Sequence, residues 1–196
     1  MTRDDLVALA LLTIRAPQEA ARQILSVYYS RDVLWSALAL VGAVNSIIFS
    51  VTTQITGPVP TMPAFFNNPL AFFLIYTGMM VMMVHAFYWT GRAMGGVGDL
   101  GELLALTVWL QALRAVAQVG LLVLLLLSPA LAFLYSIVIG LLGVWILLSF
   151  VSVALRLNSL GGAFAVLVVG TLGLALGLVV LGSMIGLTAM GVSANV

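Results

Sequence analysis

Five long apolar stretches, joined by short connections, constrain this chain more than any other feature. A helix needs about 20 apolar residues to cross the ~30 Å hydrocarbon core of a bilayer. Charged residues make up only 7% of the 196 residues, against about a quarter in soluble domains. The chain therefore predicts an all-α integral membrane bundle of five transmembrane helices. The predicted spans are Val33–Thr53, Leu70–Trp89, Leu103–Leu127, Pro129–Leu155 and Ala163–Met190.

The positions of the basic residues predict the orientation of the bundle. Lysine is absent, and the arginines outside the spans all fall on the N-terminal side: Arg3, Arg15, Arg22, Arg31, Arg92 and Arg156. The connection 54–69, the turn at Ser128 and the C-terminal tail carry no charge. Because cytoplasmic loops hold the excess of arginine and lysine, we expect a cytoplasmic N-terminus and a periplasmic C-terminus.

Residues 1–31 precede the first span and predict a segment of their own. Asp4 and Asp5 interrupt the basic start of a signal peptide, and no small-residue cleavage pattern follows the apolar run 6–14. We therefore expect two short amphipathic helices at the cytoplasmic membrane interface, ahead of a five-span membrane domain of residues 32–196. Pro17 suits the first position of the second helix.

The second of these helices carries an apolar stripe with two candidate roles. The stripe has helical spacing and consists of Ala21, Ile24, Leu25 and Tyr28. It either anchors the segment so that the first span is aligned, or offers Ile24 and Tyr28 to a partner. On the opposite side, the proline-rich connection 56–69 holds Phe65 and Phe66. We expect adjacent aromatic rings to contact an apolar partner, which is either the lipid interface or another protein.

The third span contains the one charged residue that lies deep within a predicted span. Arg114 lies eleven residues past Leu103, roughly 17 Å along the helix at 1.5 Å per residue. Gln111, Arg114 and Gln118, together with Thr107, fall on one helical face. Lipid offers this face no hydrogen bonds, so we expect it to face the bundle or water.

Three interpretations of the arginine remain open at this stage. The candidate partners of Arg114 within the bundle are Asn45, Tyr76, Thr171 and backbone carbonyls, since no carboxylate is predicted at its depth. The polar face, with Asn45, is a packing clasp, an anion-attracting site for a headgroup or substrate, or a contact to another membrane subunit. An arginine without a neighbouring acid stays charged, which argues against a proton relay.

Glycine is concentrated in the fifth span and predicts close helix contacts. Gly173 and Gly177, and then Gly182 and Gly186, form two G-x-x-x-G pairs, a spacing that lets helix backbones approach closely. We expect the pairing inside the bundle, against Gly140 and Gly143, and keep pairing between protomers as the alternative.

Two further motifs have simpler explanations than their better-known functions. The stretch 96–101 spells the dinucleotide-binding fingerprint, but it lies between two membrane spans and not after a strand. Asp99 and Glu102 instead predict a capping box for the third span. Met79 and Met83 have the spacing of copper transporters, but the predicted external segments hold a single methionine, Met62. We expect methionine packing and no metal site.

Catalysis and nucleic-acid binding find no support in the residue types present. The chain has no cysteine and one histidine, and no paired carboxylates or nucleophile–base set lie at one depth. Net charge is +1, which argues against a nucleic-acid partner. We expect no enzymatic activity and no cofactor.

Three stretches, together with the five spans and their orientation, resemble the Yip (Ypt-interacting protein) family. They are the amphipathic lead-in 14–21, the glycine turn 95–105 and the turn 155–163 before the last span. The resemblance is to bacterial members and implies the cytoplasmic (inner) membrane. Eukaryotic members are associated with vesicle traffic and Rab GTPases through a longer cytoplasmic region. That region, including its D-L-Y-G-P-like motif, is missing from this sequence, so Rab binding is not implied.

These observations predict a non-enzymatic membrane protein that works as a scaffold or accessory subunit. Its expected partners are membrane lipids, another membrane complex or a second copy of itself. The alternative is a small transporter or lipid-handling protein with its polar site around Arg114.

Overall fold

The computed structural model describes residues 2–57, 62–157 and 159–185. Within these ranges the chain is helical and contains no strand. Five of its helices are long and apolar enough to cross a membrane, which confirms the predicted fold class. The helices are α1 (Arg3–Arg15), α2 (Pro17–Leu25), α3 (Arg31–Thr56), α4 (Pro69–Ala93), α5 (Leu100–Leu127), α6 (Pro129–Ala154) and α7 (Leu160–Ile185), with a short 3₁₀ turn at Ala64–Asn67.

Helices α3, α4 and α5 begin one to three residues before the predicted spans because their polar caps lie outside the apolar stretches, whereas α6 begins at the predicted Pro129. The side chains of Ser30, Asn68 and Ser128 accept hydrogen bonds from the first turns of α3, α4 and α6. Asp99 and Glu102 form the predicted capping box at the start of α5, which satisfies backbone donors that a helix leaves free at its N-terminus. The predicted end of the fifth span, Met190, lies outside the described residues.

The bundle has two ends of different character, which we call proximal and distal. The proximal end holds α1 and α2 and the first turn of α3, and the distal end is where α3 finishes and α4 begins. Helix α5 packs against α3 and α6, and α4 packs against α3 and α7. The fully buried apolar side chains concentrate in the proximal half, among them Val84, Leu106, Phe150, Val151 and Leu155.

The N-terminal segment forms two helices as predicted, and the second is built into the bundle. Helix α2 packs on α5 and α6, with Ala20 and Ala21 fully buried. Ile24 is only 5% exposed, which favours the anchoring role of the stripe over the alternative that Ile24 is offered to a partner. Helix α2 ends at Leu25, and Tyr28 lies beyond it with 92% exposure, outside the helical stripe that we predicted for it.

Candidate functional site

Arg114 occupies the middle of α5, 14 residues after Leu100 and 13 before Leu127. Its side chain is exposed and borders a cavity of about 430 Å³ between α5, α6 and Met83 of α4. We call this space the Arg114 cavity. It is bordered by polar residues at Thr107, Gln111, Arg114, Gln118, Tyr135 and Ser136 and by apolar residues that include Leu110, Leu121, Ile139, Val144 and Leu147.

The predicted partners of the arginine make other contacts. Arg114 forms no hydrogen bond and no ion pair with any described residue, including its predicted partners. The Tyr76 hydroxyl donates to Oε1 of Gln111 at 3.0 Å, and Asn45 Nδ2 donates to the Val41 carbonyl at 2.8 Å. Thr171 is exposed on α7. The geometry therefore leaves the guanidinium available to a group that enters the cavity.

Among the other polar groups of the Arg114 cavity, the amide of Gln111 leaves a donor unused. Gln111 is 4% exposed, and the oxygen of its amide is occupied by Tyr76, which leaves the amide nitrogen. Thr107 donates its hydroxyl to the Leu103 carbonyl. No aspartate or glutamate is among the described residues that border the cavity. A cationic group and amide donors without an acid favour an anion.

Sequence reasoning placed the α5 residues at this site but missed the contribution of α6. Tyr135 donates to the Ala117 carbonyl at 3.2 Å, and Ser136 donates to the Phe133 carbonyl at 2.7 Å. Their polarity within a long apolar span was the available signal. Gly140 and Gly143 also border the Arg114 cavity, because glycine leaves space where a side chain would fill it.

In the described chain, Gly140 and Gly143 do not make the close contact with Gly173 and Gly177 that we expected. A Cβ at Gly173 or Gly177 would meet no atom of the described chain within 4 Å. The close contact of α7 lies at Gly170, where a Cβ would come within 2.8 Å of Phe87 on α4. Gly182 lies farther along the same helix, and Gly186 lies outside the described residues.

The two turns that carry the family resemblance meet at the proximal end. Val97 donates its backbone N–H to the Leu155 carbonyl at 3.1 Å, and Arg156 donates to the Val97 carbonyl at 3.0 Å. Arg156 also pairs with Glu102 at 2.6 Å. A Cβ at Gly98 would overlap the carbonyl of Ala154, so this turn needs glycine for the close approach.

The methionine and phenylalanine candidates occupy different surroundings. Met79 is 41% exposed, while Met83 borders the Arg114 cavity. In the described part of the chain, no group of three or more histidine, cysteine, aspartate or glutamate side chains lies close enough together to hold a metal ion. Phe65 is 53% exposed, and its ring stacks on Phe66. Phe66 is half-buried and meets Phe72 of α4 edge-on.

One of three comparisons with known proteins supports the resemblance of these turns to the Yip family. Searches of curated proteins and of solved structures returned no match. The family model of the Yip1 domain matches residues 11–184, a range that includes the second N-terminal helix, both proximal turns and the Arg114 cavity. The chain is therefore a multi-pass membrane protein that belongs to the Yip1 domain family.

Proposed function

We propose that this protein binds an anionic amphiphile inside the membrane, with the anionic group at Arg114. The observation that carries the proposal is the exposed, unpaired guanidinium on a cavity of about 430 Å³. An arginine at the middle of a membrane helix costs about 2.5–3.5 kcal/mol on insertion scales. An anionic ligand offsets part of that cost by pairing with the charge, whereas a lipid-facing arginine would gain nothing comparable.

The mixed lining of the Arg114 cavity supports a ligand with one anionic and one apolar part. Ligand pockets commonly measure about 300–1,000 Å³, so its volume is sufficient for a headgroup and part of an acyl chain. Gln111 and Gln118 would donate to oxygens that Arg114 leaves unpaired. Leu121, Ile139 and Val144 would contact the apolar portion.

Binding without catalysis is the simplest role for this site. The described residues around the cavity include no carboxylate, histidine or cysteine, so they offer no general base or activated nucleophile. We therefore propose a lipid-handling membrane protein without enzymatic activity. No cofactor is part of this proposal.

The test is the lipid that stays bound to purified protein. We would compare the wild type with Arg114→Gln in native mass spectrometry, using phosphatidylglycerol and phosphatidylcholine of identical acyl chains. The matched control is Arg92→Gln, which removes an exposed arginine near the end of α4, away from the cavity. We expect Arg114→Gln alone to lose the preference for phosphatidylglycerol. An unchanged preference in this variant, with its unfolding temperature preserved, would contradict the proposal.

A scaffold or accessory-subunit role is the second candidate, and the open face of α7 favours it. Gly173 and Gly177 have the spacing of close helix packing but meet nothing in the described chain. A helix of another membrane protein, or of a second copy, fits such a face. Mild extraction followed by mass spectrometry would reveal a stoichiometric partner. Gly173→Leu should release this partner, while Leu172→Ala serves as the control; a partner retained by both variants would contradict the role of this face.

We also propose that the N-terminus lies in the cytoplasm and the C-terminus in the periplasm of a bacterial inner membrane. The support is the charge distribution across the bundle. The arginines outside the five predicted spans are near the ends of helices that meet at the proximal side. Because the chain has no cysteine, a single cysteine at Ser26 or Asn67 would report the side of each end to an impermeant thiol reagent. If the reagent labels the Ser26→Cys protein in intact cells, the proposed orientation is wrong.

A further inference from the structure

A groove at the proximal end of the bundle shares no bordering residue with the Arg114 cavity. It lies between the connection from α2 to α3 and the start of α5, and its volume is about 430 Å³. We call it the proximal groove. Its border is polar at Tyr28, Tyr29, Arg31, Asp99 and Glu102 and apolar at Leu34 and Ala105. Tyr28, Arg31 and Asp99 are exposed, so the groove is open to the surface.

Arg31 brings a positive charge to the proximal groove. It is exposed, and neither ion pair of the described residues includes it. Arg31 is also the first residue of α3, where the positive end of the helix dipole favours an anion and disfavours a cation. Helix stability therefore does not explain an arginine at this position. The guanidinium and the helix end together suit a phosphate group.

Asp99 brings a negative charge to the α5 side of the groove. Its Oδ1 atom accepts the backbone N–H of Gly101 at 2.7 Å, but its carboxylate forms no ion pair with Arg31 or with any other described residue. The second acid of the border, Glu102, is paired with Arg156 at 2.6 Å. The groove therefore presents one cation and one anion, each without a partner of opposite charge.

The two tyrosines place this groove at the level of the lipid headgroups. Tyr29 is half-buried and packs against the apolar core, whereas Tyr28 is 92% exposed. Tyrosine is enriched at the membrane–water interface, where its ring meets the apolar side and its hydroxyl the polar side. Such a hydroxyl can donate a hydrogen bond to a phosphate oxygen.

A zwitterionic headgroup matches these charges better than a simple anion does. The phosphate of phosphatidylglycerol would pair with Arg31 but bring nothing to neutralise Asp99. Phosphoethanolamine carries a phosphate for Arg31 and an ammonium group with N–H donors for the Asp99 carboxylate. Phosphocholine has the same charges, but its quaternary nitrogen has no N–H to donate. The chemistry of the groove therefore favours ethanolamine over choline.

We propose that the proximal groove binds the phosphoethanolamine headgroup of a membrane lipid, with the phosphate at Arg31 and the ammonium at Asp99. Tyr28 donates to the phosphate, and Leu34 and Ala105 contact the apolar part of the lipid. The bound lipid joins the connection between α2 and α3 to the start of α5, and it stabilises this junction by mass action. This site is independent of any ligand at Arg114.

The test is competition between two lipids that differ only in the nitrogen of the headgroup. We would add equimolar phosphatidylethanolamine and phosphatidylcholine of identical acyl chains to the purified protein and measure the bound ratio by native mass spectrometry. We expect the wild type to bind the ethanolamine lipid about tenfold more, as one hydrogen bond to a charged group provides. A ratio near one in the wild type would overturn the proposal.

Asp99→Asn is the sharpest variant because asparagine caps a helix as well as aspartate does and lacks the charge. We expect its bound ratio to fall to about one, since the ammonium group loses its ionic partner. The matched control is Asp32→Asn, which removes an exposed carboxylate of α3 that does not border the groove. A wild-type ratio in the folded Asp99→Asn protein would contradict the site.

Arg31→Gln keeps the proposal testable where Asp99→Asn does not fold. It removes an exposed cation that the helix dipole disfavours, so the fold should persist. We expect about tenfold less bound phosphatidylethanolamine, whereas the control Arg92→Gln should retain it. Unchanged binding in Arg31→Gln would overturn the proposal.

Arg114→Gln separates this site from the one proposed in the Arg114 cavity. It should leave the ratio of ethanolamine to choline lipid unchanged, even where it abolishes a preference for phosphatidylglycerol. Loss of this ratio in Arg114→Gln, with the ratio retained in Asp99→Asn, would assign the lipid to the Arg114 cavity and overturn the proximal site.

Discussion

Trp109 of α5 donates a hydrogen bond from Nε1 to Oγ1 of Thr13 in α1 at 3.0 Å, although the two residues are 96 positions apart in the sequence. Thr13 is fully buried, and its hydroxyl donates in turn to the Leu9 carbonyl at 2.8 Å. The first amphipathic helix is therefore attached to a membrane helix by a buried hydrogen-bond chain. Leu6, Val7 and Leu11 on the other side of α1 are exposed, a pattern suited to contact with lipid.

Replacing Trp109 by Phe should destabilise the attachment of α1 to the bundle. The change removes the indole donor, and a net loss of about 0.5–1.5 kcal/mol is typical of one hydrogen bond. Chemical unfolding in detergent would measure the loss, and a double-mutant cycle with Thr13→Val would isolate the pair. Strict additivity of the two changes would show that the hydrogen bond contributes nothing.

The close approach at Gly98 should make this position intolerant of any side chain. In Gly98→Ala the new Cβ would overlap the Ala154 carbonyl, so the turn must move away from the end of α6. We expect a loss of thermal stability of several degrees. The control is Gly101→Ala, whose nearest neighbour would lie at an ordinary 3.4 Å; similar melting temperatures for the two variants would contradict this account.

A crowded and an open glycine in the membrane helices α3 and α4 should likewise respond differently to substitution by alanine. A Cβ at Gly42 would overlap Oγ1 of Thr77, while one at Gly78 would meet nothing within 4 Å. Gly42→Ala should therefore destabilise the bundle. Gly78→Ala should be neutral or stabilising by up to about 1 kcal/mol, since alanine favours a helix over glycine. Reversible unfolding in mixed micelles would rank the variants, and equal effects would argue against close packing here.

Arg156 combines an unusual backbone with an ion pair, and two substitutions can separate them. Its φ is +52°, a left-handed conformation that costs most residues about 1–2 kcal/mol and glycine much less. Both Arg156→Gly and Arg156→Ala lose the pair with Glu102, whose exposed geometry is worth at most about 1 kcal/mol. We expect the glycine variant to unfold at a higher denaturant concentration than the alanine variant; the reverse order would disprove the strain at this position.

The carboxyl group of Asp5, in the first turn of α1, should have a pKa below the ordinary value of aspartate. The backbone N–H of Thr2 donates to the Asp5 carboxylate at 2.7 Å, and this bond, with that of the Thr2 hydroxyl, holds the pKa of Asp5 below its ordinary value. The capping contribution is thus present above the ordinary pKa and is lost as pH falls through the lower one. Carboxyl ¹³C titration would show it, and Thr2→Ala should move the Asp5 pKa only part of the way back up, because alanine removes the hydroxyl but keeps the backbone N–H.

The sequence alone predicts that this is a membrane protein and where its helices lie, because both depend on local properties of the chain. Apolar stretches of about 20 residues predict spans whatever their neighbours are. Pro17 and the Asp99–Glu102 pair mark helix starts through hydrogen bonds within a few residues. These predictions are confirmed, and the resemblance of the proximal turns to the Yip family agrees with the match over residues 11–184.

Which faces meet was decided by the tertiary structure alone. The stripe with Ile24 and the glycines of α7 have the composition of contact surfaces, but composition does not name the surface opposite. Folding buried Ile24 against the bundle and left Gly173 open, because α2 packs on α5 and α6 while α7 packs on α4 and α6. The sequence likewise determined that Arg114 lies deep in a span. That it borders a cavity, with Tyr76 paired to Gln111, depends on how three helices pack around it.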